Sequence, residues 1–468
     1  MQFSYICIRK KRYMTLIKSI SGIRGTIGGE QGINFTPIDI VECTAAFGQW
    51  ILNKGNNPKI VVGRDGRMTG AMVSNLVVNT LMMQGIDVVD LGLSTTPTVE
   101  MAVPMEEAGA GIILTASHNP KQWNALKFID DKGEFISKAD GEALLKLIEN
   151  KEMIFAYVEK LGKYEKKDDY IQKHIDAILQ LDYLNVDLIK SKKYHVVVDA
   201  INSTGALAIP PLLEAFDCTY TVINAEISGD FAHDPEPLPK HLTELCEVII
   251  KEKGDLGISV DPDVDRLALV QEDGVCFGEE YTLVAVADSI LQKKPGNTVS
   301  NLSSTRALAD VTRKHGGTYT AAAVGEVNVV KTMKETNAVI GGEGNGGVIL
   351  PDLHYGRDAL AGIALVLNLM AEKDKTLSEI RKEYPSYTIV KNKVQLAEDL
   401  PLEVIFDKIK KELEGEKFNE IDGLKIDFED GWVHLRASNT EPIVRLYAES
   451  ESEERAQELV KMILDKIE

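Results

Sequence analysis

Three times along the chain a short β-branched apolar run gives way to a loop of small, polar and charged residues, and a helical pattern follows. The stretches are KIVVGRDGRMTG from Lys59, YHVVVDAINSTGA from Tyr194 and NTVSNLSSTRALAD from Asn297. Runs that are apolar throughout signal buried strands, and the helical spacing over 70–84, 206–216 and 305–315 predicts strand-helix units on a parallel core. Three spaced copies predict three similar mixed-sheet α/β domains, or alternating units within one large domain. Beyond Pro385 the pattern changes to alternating strands, in YTIVKNKVQL, GLKIDFEDGWVHLRAS and PIVRLYAES, with turns at Asp422-Gly423 and Asp430-Gly431 and amphipathic helices over 401–413 and 452–467. This predicts a C-terminal α+β domain with an antiparallel sheet. The expected divisions are 14–162, 163–272, 273–385 and 386–468, with polar connectors near 155–166, 271–280 and 383–388.

A length of 468 residues agrees with several cores rather than one. The formal net charge of −20 excludes broad binding to nucleic acid or to anionic membranes, which require a positive footprint. It leaves room for an anionic small molecule held by a local group of arginines. Cys7, Cys43, Cys218, Cys246 and Cys276 are scattered without a C-x-x-C pair, which indicates neither a zinc site nor a disulfide framework and fits a cytoplasmic protein. No apolar run approaches the ~20 residues of a membrane span. At the N-terminus apolar residues precede the basic run, the reverse of a secretory signal, and residues 1–13 read as a disordered or mis-started extension before Met14.

Chemistry concentrates in a few loops. In GIILTASHNP a buried-type strand stops at Ser117 and His118, yet the G-x-S-x-G elbow of serine hydrolases is absent. ISVDPDVDRLALV places Asp261, Asp263 and Asp265 at alternate positions after a strand. Extended backbone would point the three carboxylates to one side, where a hard cation such as Mg2+ relieves their repulsion. The bland reading is a solvated acidic turn. An EF-hand is excluded, because Arg266 stands where its turn needs glycine. An aspartyl-phosphate enzyme fits the aspartates but leaves Ser117 unused.

RASNTEPIVRLY, from Arg436 to Tyr447, combines planar guanidinium forks with hydroxyl and amide groups, the makings of a phosphate cradle or of a capped turn. GGEGNGGVIL lacks the helix a dinucleotide loop requires, and its glycines let Glu343 and Asn345 project together toward neighbouring hydroxyls, or form an irregular surface loop. Arg24, Arg64, Arg67 and Lys127 lie in or after strand-end loops, where α/β proteins handle anions.

TASHNP, DPDVDR, GEGNGG and RASNTEP, in this order and at these separations, resemble the phosphohexose mutases, the family of phosphoglucomutase, phosphomannomutase and phosphoglucosamine mutase. The resemblance runs from about Ile20 to the C-terminus and takes in GIRGTIGG, VGRDGR, HDPEP and VGEVNVV. It implies four domains around a central cleft and makes Ser117 a phosphoserine that exchanges its phosphoryl group with a hexose phosphate through a bisphosphorylated sugar. It further implies Mg2+ on Ser117, Asp261, Asp263 and Asp265, a sugar bisphosphate activator that primes the serine, and catalytic roles for Arg24, Lys127 and Arg266. Glu343 and Asn345 would bind sugar, and Arg436, Ser438, Asn439, Thr440 and Arg445 the non-reacting phosphate. Many relatives carry serine and histidine where this chain has Asn345 and Gly347, and glycine where it has Ala125. The general acid/base then falls to Lys127, Arg24, Glu326 or His354. The asparagine loop points to glucosamine 6-phosphate as substrate, with mixed phosphoglucomutase/phosphomannomutase activity as the alternative and a Mg-dependent sugar-phosphate phosphatase as the rival. The expected assembly is a monomer or homodimer, with no nucleic-acid or membrane partner.

Overall fold

Each of the three apolar runs is the central strand of a sheet. The computed structural model describes residues 14–19, 22–394, 402–437 and 443–467. The first sheet contains β1 (Ile17–Ser19), β2 (Gly22–Thr26), β3 (Lys59–Arg64), β4 (Asp87–Leu93), β5 (Ala110–Leu114), β6 (Trp123–Ile129) and β7 (Tyr164–Lys166), in the order β1-β2-β6-β5-β3-β4-β7. The second holds β8 (His195–Asp199), β9 (Thr219–Ile223), β10 (Leu256–Val260) and β11 (Leu267–Val270), in the order β11-β10-β8-β9. The third holds β12 (Asn297–Asn301), β13 (Tyr319–Ala322), β14 (Ala338–Glu343) and β15 (Gly347–Ile349), in the order β13-β12-β14-β15.

One unit recurs in all three. A central strand (β3, β8, β12) has a parallel neighbour on either side, and an antiparallel strand (β6, β11, β15) lies beyond one of them. The turns β5-β6, β10-β11 and β14-β15 are therefore topologically equivalent. They carry Ser117, Asp261 to Asp265, and Glu343 to Gly346, so the repeat itself delivers one candidate functional loop per sheet. Helices Gly70–Met83, Gly205–Ala215 and Ala307–Lys314 follow the central strands, as the spacing predicts.

The fourth sheet is antiparallel throughout, β16-β20-β19-β18-β17, formed by β16 (Thr388–Val394), β17 (Lys417–Asn419), β18 (Leu424–Phe428), β19 (Gly431–Ala437) and β20 (Val444–Ser450). Two short edge strands were not foreseen. β17 is too short to show an alternation, and β7 lies in the lysine-rich connector with all its residues exposed, so backbone pairing to β4 leaves no apolar trace.

The second and third sheets share one core. Helix Ala359–Lys373 is apolar around its whole circumference because it is enclosed between them, with Leu360, Ile363, Leu365 and Leu367 inaccessible to solvent. Asp358 fixes its start, its Oδ1 accepting from Leu360 N-H at 2.8 Å and Ala361 N-H at 3.1 Å. The first and fourth sheets pack separate cores, around Phe47, Phe128 and Leu126 and around Leu424, Val433 and Leu459. Among the described residues no helix is long and apolar enough to cross a membrane.

The fourth sheet docks on the third through polar contacts. Arg306 N-H donates to Glu449 Oε1 at 2.9 Å, and His434 on β19 bridges Ser303 Oγ (Nδ1, 2.9 Å) and the Asp422 carbonyl (Nε2, 2.7 Å). Burial pushes the His434 pKa down to about 4. The unfolded chain, with an ordinary histidine near ~6.5, binds more protons between these values, so this contact contributes fully above pH ~6.5 and is lost as pH falls toward 4. Thermal melts from pH 7 to pH 4.5 are expected to show wild type losing more stability than His434→Asn over that window. Equal losses would remove His434 as the cause.

Candidate active site

β5 ends at Leu114, and the chain turns sharply enough to put Ser117 at φ 47°, the left-handed region that a side chain normally avoids. Arg67 holds this turn. It is buried, and every N-H of its guanidinium is engaged: Nε on Asp65 Oδ2 (3.1 Å), Nη1 on the carbonyls of Pro120 and Trp123 (both 2.9 Å), and Nη2 on those of Ser117 (2.5 Å) and Asn119 (2.6 Å). The sequence reading of Arg67 as an anion binder is thus corrected, since no donor is left for an anion. Its ion partner Asp65, raised to about 6 by burial, also accepts from Thr115 Oγ1 at 2.7 Å. The serine loop is rigid before any ligand arrives.

The Ser117 hydroxyl donates to Asp261 Oδ2 at 2.7 Å, while His118 Nδ1 stands off at 3.4 Å. Burial and then the charges of Arg266 and Arg357 press the His118 pKa down to about 2, which keeps the ring neutral. Serine therefore reports to the aspartate loop and not to its sequence neighbour.

Asp261, Asp263 and Asp265 are buried, and one oxygen from each lies within 4.8 Å of the others. They converge through a turn with Val264 at φ 61° rather than through the extended alternation expected from sequence. Asp261 Oδ1 accepts the N-H groups of Asp265 and Arg266, both at 3.2 Å. Asp263 Oδ2 accepts from Thr96 Oγ1 (2.6 Å) and Lys127 Nζ (2.8 Å), and Asp265 Oδ2 from Arg357 Nη2 (2.5 Å). Asp263 Oδ1 and Asp265 Oδ1 have no partner among the described residues despite burial. Burial, followed by the charges of Asp265 and Asp263, drives the Asp261 carboxyl well above its ordinary pKa. At Asp265 burial acts the same way, but Arg357 and Lys127 outweigh it and hold the pKa at about 2. Orphaned buried oxygens beside a crowd of carboxylates fit a hard dication with oxygen ligands.

The basic side chains fall into two kinds. Arg266 is buried but loosely paired, its Nε 3.8 Å from Asp261 and 3.9 Å from Asp265, and it retains donors for an anion. Arg24 on β2 lies directly across from Ala125 on β6, two positions from Lys127 on the same face, and its side chain makes neither an ion pair nor a hydrogen bond to the described residues. Lys127 is committed to Asp263, and at 3.6 Å to Asp265, which together keep it charged against the opposing effect of burial.

Arg357 is the functional residue that sequence reasoning missed. Its Nη2 holds Asp265, its Nη1 Glu343 Oε2 (3.3 Å) and its Nε Glu326 Oε2 (3.0 Å), so one guanidinium joins the second and third functional loops. The signal was Gly347. A Cβ there would lie 2.4 Å from Arg357 Cδ, so the glycine that replaces the histidine of many relatives makes room for this arginine. Glu343 is buried, with Oε1 accepting from Asn301 Nδ2 (3.0 Å) and Gly325 N-H (3.2 Å). Asn345 Oδ1 accepts from Gly347 N-H at 3.2 Å, which turns its amide N-H2 outward. Glu326 is occupied by Arg357, and His354 lies in a separate buried network, so neither is placed to move a proton at Ser117.

Arg436 on β19 and Arg445 on β20 face each other directly across the ladder, a like-charge pairing that costs stability unless an anion joins it. Arg436 Nη1 reaches Asp422 Oδ2 at 3.3 Å, and that oxygen also accepts Val324 N-H at 3.0 Å. Arg445 Nε is buried without a partner among the described residues. Ser438, Asn439 and Thr440 lie outside the described residues.

Comparison with known proteins places this geometry. Phosphoglucomutase/phosphomannomutase models match the chain in order: alpha/beta/alpha domain I over residues 16–154, domain II over 172–274, domain III over 278–387 and the C-terminal domain over 390–466. A phosphoglucomutase/phosphomannomutase of Thermococcus kodakarensis is 33% identical over 444 residues, 94% of this chain and 96% of that one. The chain belongs to the phosphohexomutase family. It is accordingly an isomerase of the mutase type. A second relative, named "Probable phosphoglucosamine mutase", from Methanopyrus kandleri, is 33% identical over 95% of this chain and 96% of its own. Among solved structures, a phosphoglucomutase/phosphomannomutase family protein of Burkholderia thailandensis superposes with a TM-score of 0.84 at 25% identity, covering 98% of this chain and 97% of that one.

Proposed function

We propose that this phosphohexomutase interconverts hexose 6-phosphate and hexose 1-phosphate through a phosphorylated Ser117 and a bisphosphorylated sugar, with glucosamine 6-phosphate as its preferred substrate. The observation that carries the reading is the Ser117 hydroxyl directed at Asp261, one member of a carboxylate cluster with orphaned oxygens that Arg266 and Lys127 flank. The asparagine in the sugar loop and the phosphoglucosamine mutase name of the Methanopyrus relative support the amino sugar. The name of the Thermococcus relative supports the glucose and mannose phosphates as alternative substrates.

Asp261, Asp263, Asp265 and an oxygen of the Ser117 phosphate would hold Mg2+. When bound, it neutralises charge on the phosphoryl group in transfer. In the forward half-reaction the bond from phosphorus to Ser117 Oγ breaks as the bond to a sugar hydroxyl forms. The sugar hydroxyl loses its proton and the serine oxygen acquires one. Lys127, kept protonated by Asp263 and Asp265, is placed to stabilise the group in flight and to supply a proton, while Arg266 and Arg24 offer free donors to phosphoryl oxygens. When Ser117 attacks the second phosphate, its hydroxyl proton already points to Asp261 Oδ2. Glu343 and Asn345 line the sugar side, and the opposed Arg436 and Arg445 hold the phosphate that does not react. A trace of sugar bisphosphate primes an unphosphorylated serine.

The test is 31P NMR with Mg2+, a trace of sugar bisphosphate and one substrate at a time. Preferential conversion of glucosamine 6-phosphate to its 1-phosphate is expected. Faster turnover of glucose 1-phosphate or mannose 1-phosphate would reassign the sugar, and net release of inorganic phosphate would make the protein a phosphatase. Asp263→Asn is expected to raise the Mg2+ concentration for half-maximal rate at least about tenfold and to lower the rate with it, since one of three anionic ligands is neutralised. An unchanged Mg2+ titration would place the ion elsewhere.

A further inference from the structure

Beside Arg357, side chains from three parts of the chain, residues 98–100, 174 and 354–358, meet in the interior. His174, on helix Tyr170–Leu179, and His354 each place Nε2 against the same oxygen of Asp358, at 2.8 and 3.2 Å. The three side chains are almost fully buried, and one atom from each lies within 4.8 Å of the others. The other Asp358 oxygen is committed to the helix start, so Oδ2 belongs to this cluster alone. The remaining ring nitrogens also have assigned neighbours. His174 Nδ1 lies 3.0 Å from Thr98 Oγ1, and His354 Nδ1 lies 3.3 Å from Glu100 Oε2.

Two buried carboxylates face this cluster. Glu100 and Asp358 are buried carboxylates with no lysine or arginine paired to either, and neither Glu100 oxygen has a hydrogen bond of full geometry among the described residues. Bound imidazoles commonly donate their second N-H to a carboxylate or another acceptor, which fixes the tautomer and directs the ligand nitrogen. Glu100 and Thr98 stand where those acceptors belong. His354 also lines a cavity of about 470 Å3 with Met101, Met105 and Tyr355, a route by which an ion could enter.

We propose that His174, His354 and Asp358 form a second metal site, for a nitrogen-seeking transition-metal dication such as zinc, separate from the all-oxygen carboxylate loop. Two imidazole nitrogens and one carboxylate oxygen select zinc over magnesium, whereas the aspartate loop selects the reverse. The ion would place positive charge beside Asp358, with Glu100 behind His354. It also ties together the elements that hold the reaction centre. Thr98 and Glu100 share a helix with Thr96, which grips Asp263, while His354 and Asp358 flank Arg357, which grips Asp265.

The test uses the full-length protein, purified without a metal-affinity step, held in excess Mg2+ with one equivalent of Zn2+, desalted, and measured by elemental mass spectrometry. About one zinc per chain is expected, at least about tenfold less in His174→Gln and in His354→Gln, and an unchanged amount in Asp263→Asn. Absence of zinc from the wild type would overturn the site and leave the cluster as a hydrogen-bonded histidine-aspartate network. Zinc retained in both histidine variants but lost in Asp263→Asn would place it in the aspartate loop and equally overturn the proposal. Should the histidine variants fail to fold, wild-type protein loaded with Co2+ decides. The intense visible bands of four-coordinate cobalt are expected, and only the weak bands of six-coordinate cobalt would refute the site.

Discussion

Ser117→Ala is expected to cut mutase turnover at least about 10^3-fold, because it removes the proposed covalent carrier. The fold should survive. Alanine removes only one hydroxyl, and the backbone of the turn is held by Arg67 through carbonyls that the substitution leaves in place. Incubation with sugar bisphosphate followed by intact-mass analysis gives the second readout: wild type should gain the mass of one phosphoryl group and Ser117→Ala none. A variant that still turns over at near wild-type rate, or that still becomes phosphorylated, would move the carrier to another residue.

Arg357→Ala is expected to cost about 3–5 kcal/mol of stability, the penalty for leaving buried carboxylates without their cation. Asp265, Glu326 and Glu343 all lose a partner at once, and each is almost fully buried. The pH dependence follows from Asp265. Its pKa of about 2 lies below the unfolded value near 3.8, so the pairing contributes fully above pH ~3.8 and fades as pH falls toward 2. Removing Arg357 raises that pKa and brings acid unfolding to higher pH. Urea denaturation at pH 7 and acid titration of wild type and variant measure both effects. Arg357→Lys is expected to recover less than half of the loss, because an ammonium cannot reach three carboxylates as the planar fork does. A loss below about 1 kcal/mol for Arg357→Ala would mean that water or an ion replaces the guanidinium at little cost.

The repeating strands were readable in sequence because fully buried strands announce themselves by composition, as VVV at 196–198 and IVV at 60–62 do. The serine and aspartate loops were readable for a related reason: catalytic groups sit at strand ends, where an apolar run stops. What escaped was relational. Nothing about Arg67 in GRDGR distinguishes a buried clamp from a phosphate ligand, since both need a guanidinium next to glycine, and only the carbonyls across the turn decide. Arg357 was hidden because its importance depends on the vacancy at Gly347, ten residues earlier. The convergence of the three aspartates was expected, but its cause was a turn with Val264 in the left-handed region, a conformation that valine does not advertise. Cys246 and Cys276 likewise showed no motif, yet their sulfurs lie 3.9 Å apart, on a helix and after the neighbouring strand.

The Arg67 clamp sets which partner has to move. On the proposed mechanism, with the carrier loop pinned by its own backbone, the phosphoryl donor is stationary, and a bisphosphorylated sugar must present first one end and then the other to a fixed point. On that mechanism the fourth sheet is where the reversal would find its freedom, since it meets the third through polar contacts such as Arg306 with Glu449 and His434 with Ser303. The strength of that attachment then governs a race between reversal and escape. A tighter hinge would slow the flip, and a looser one would spill the bisphosphate and leave the serine without its phosphoryl group.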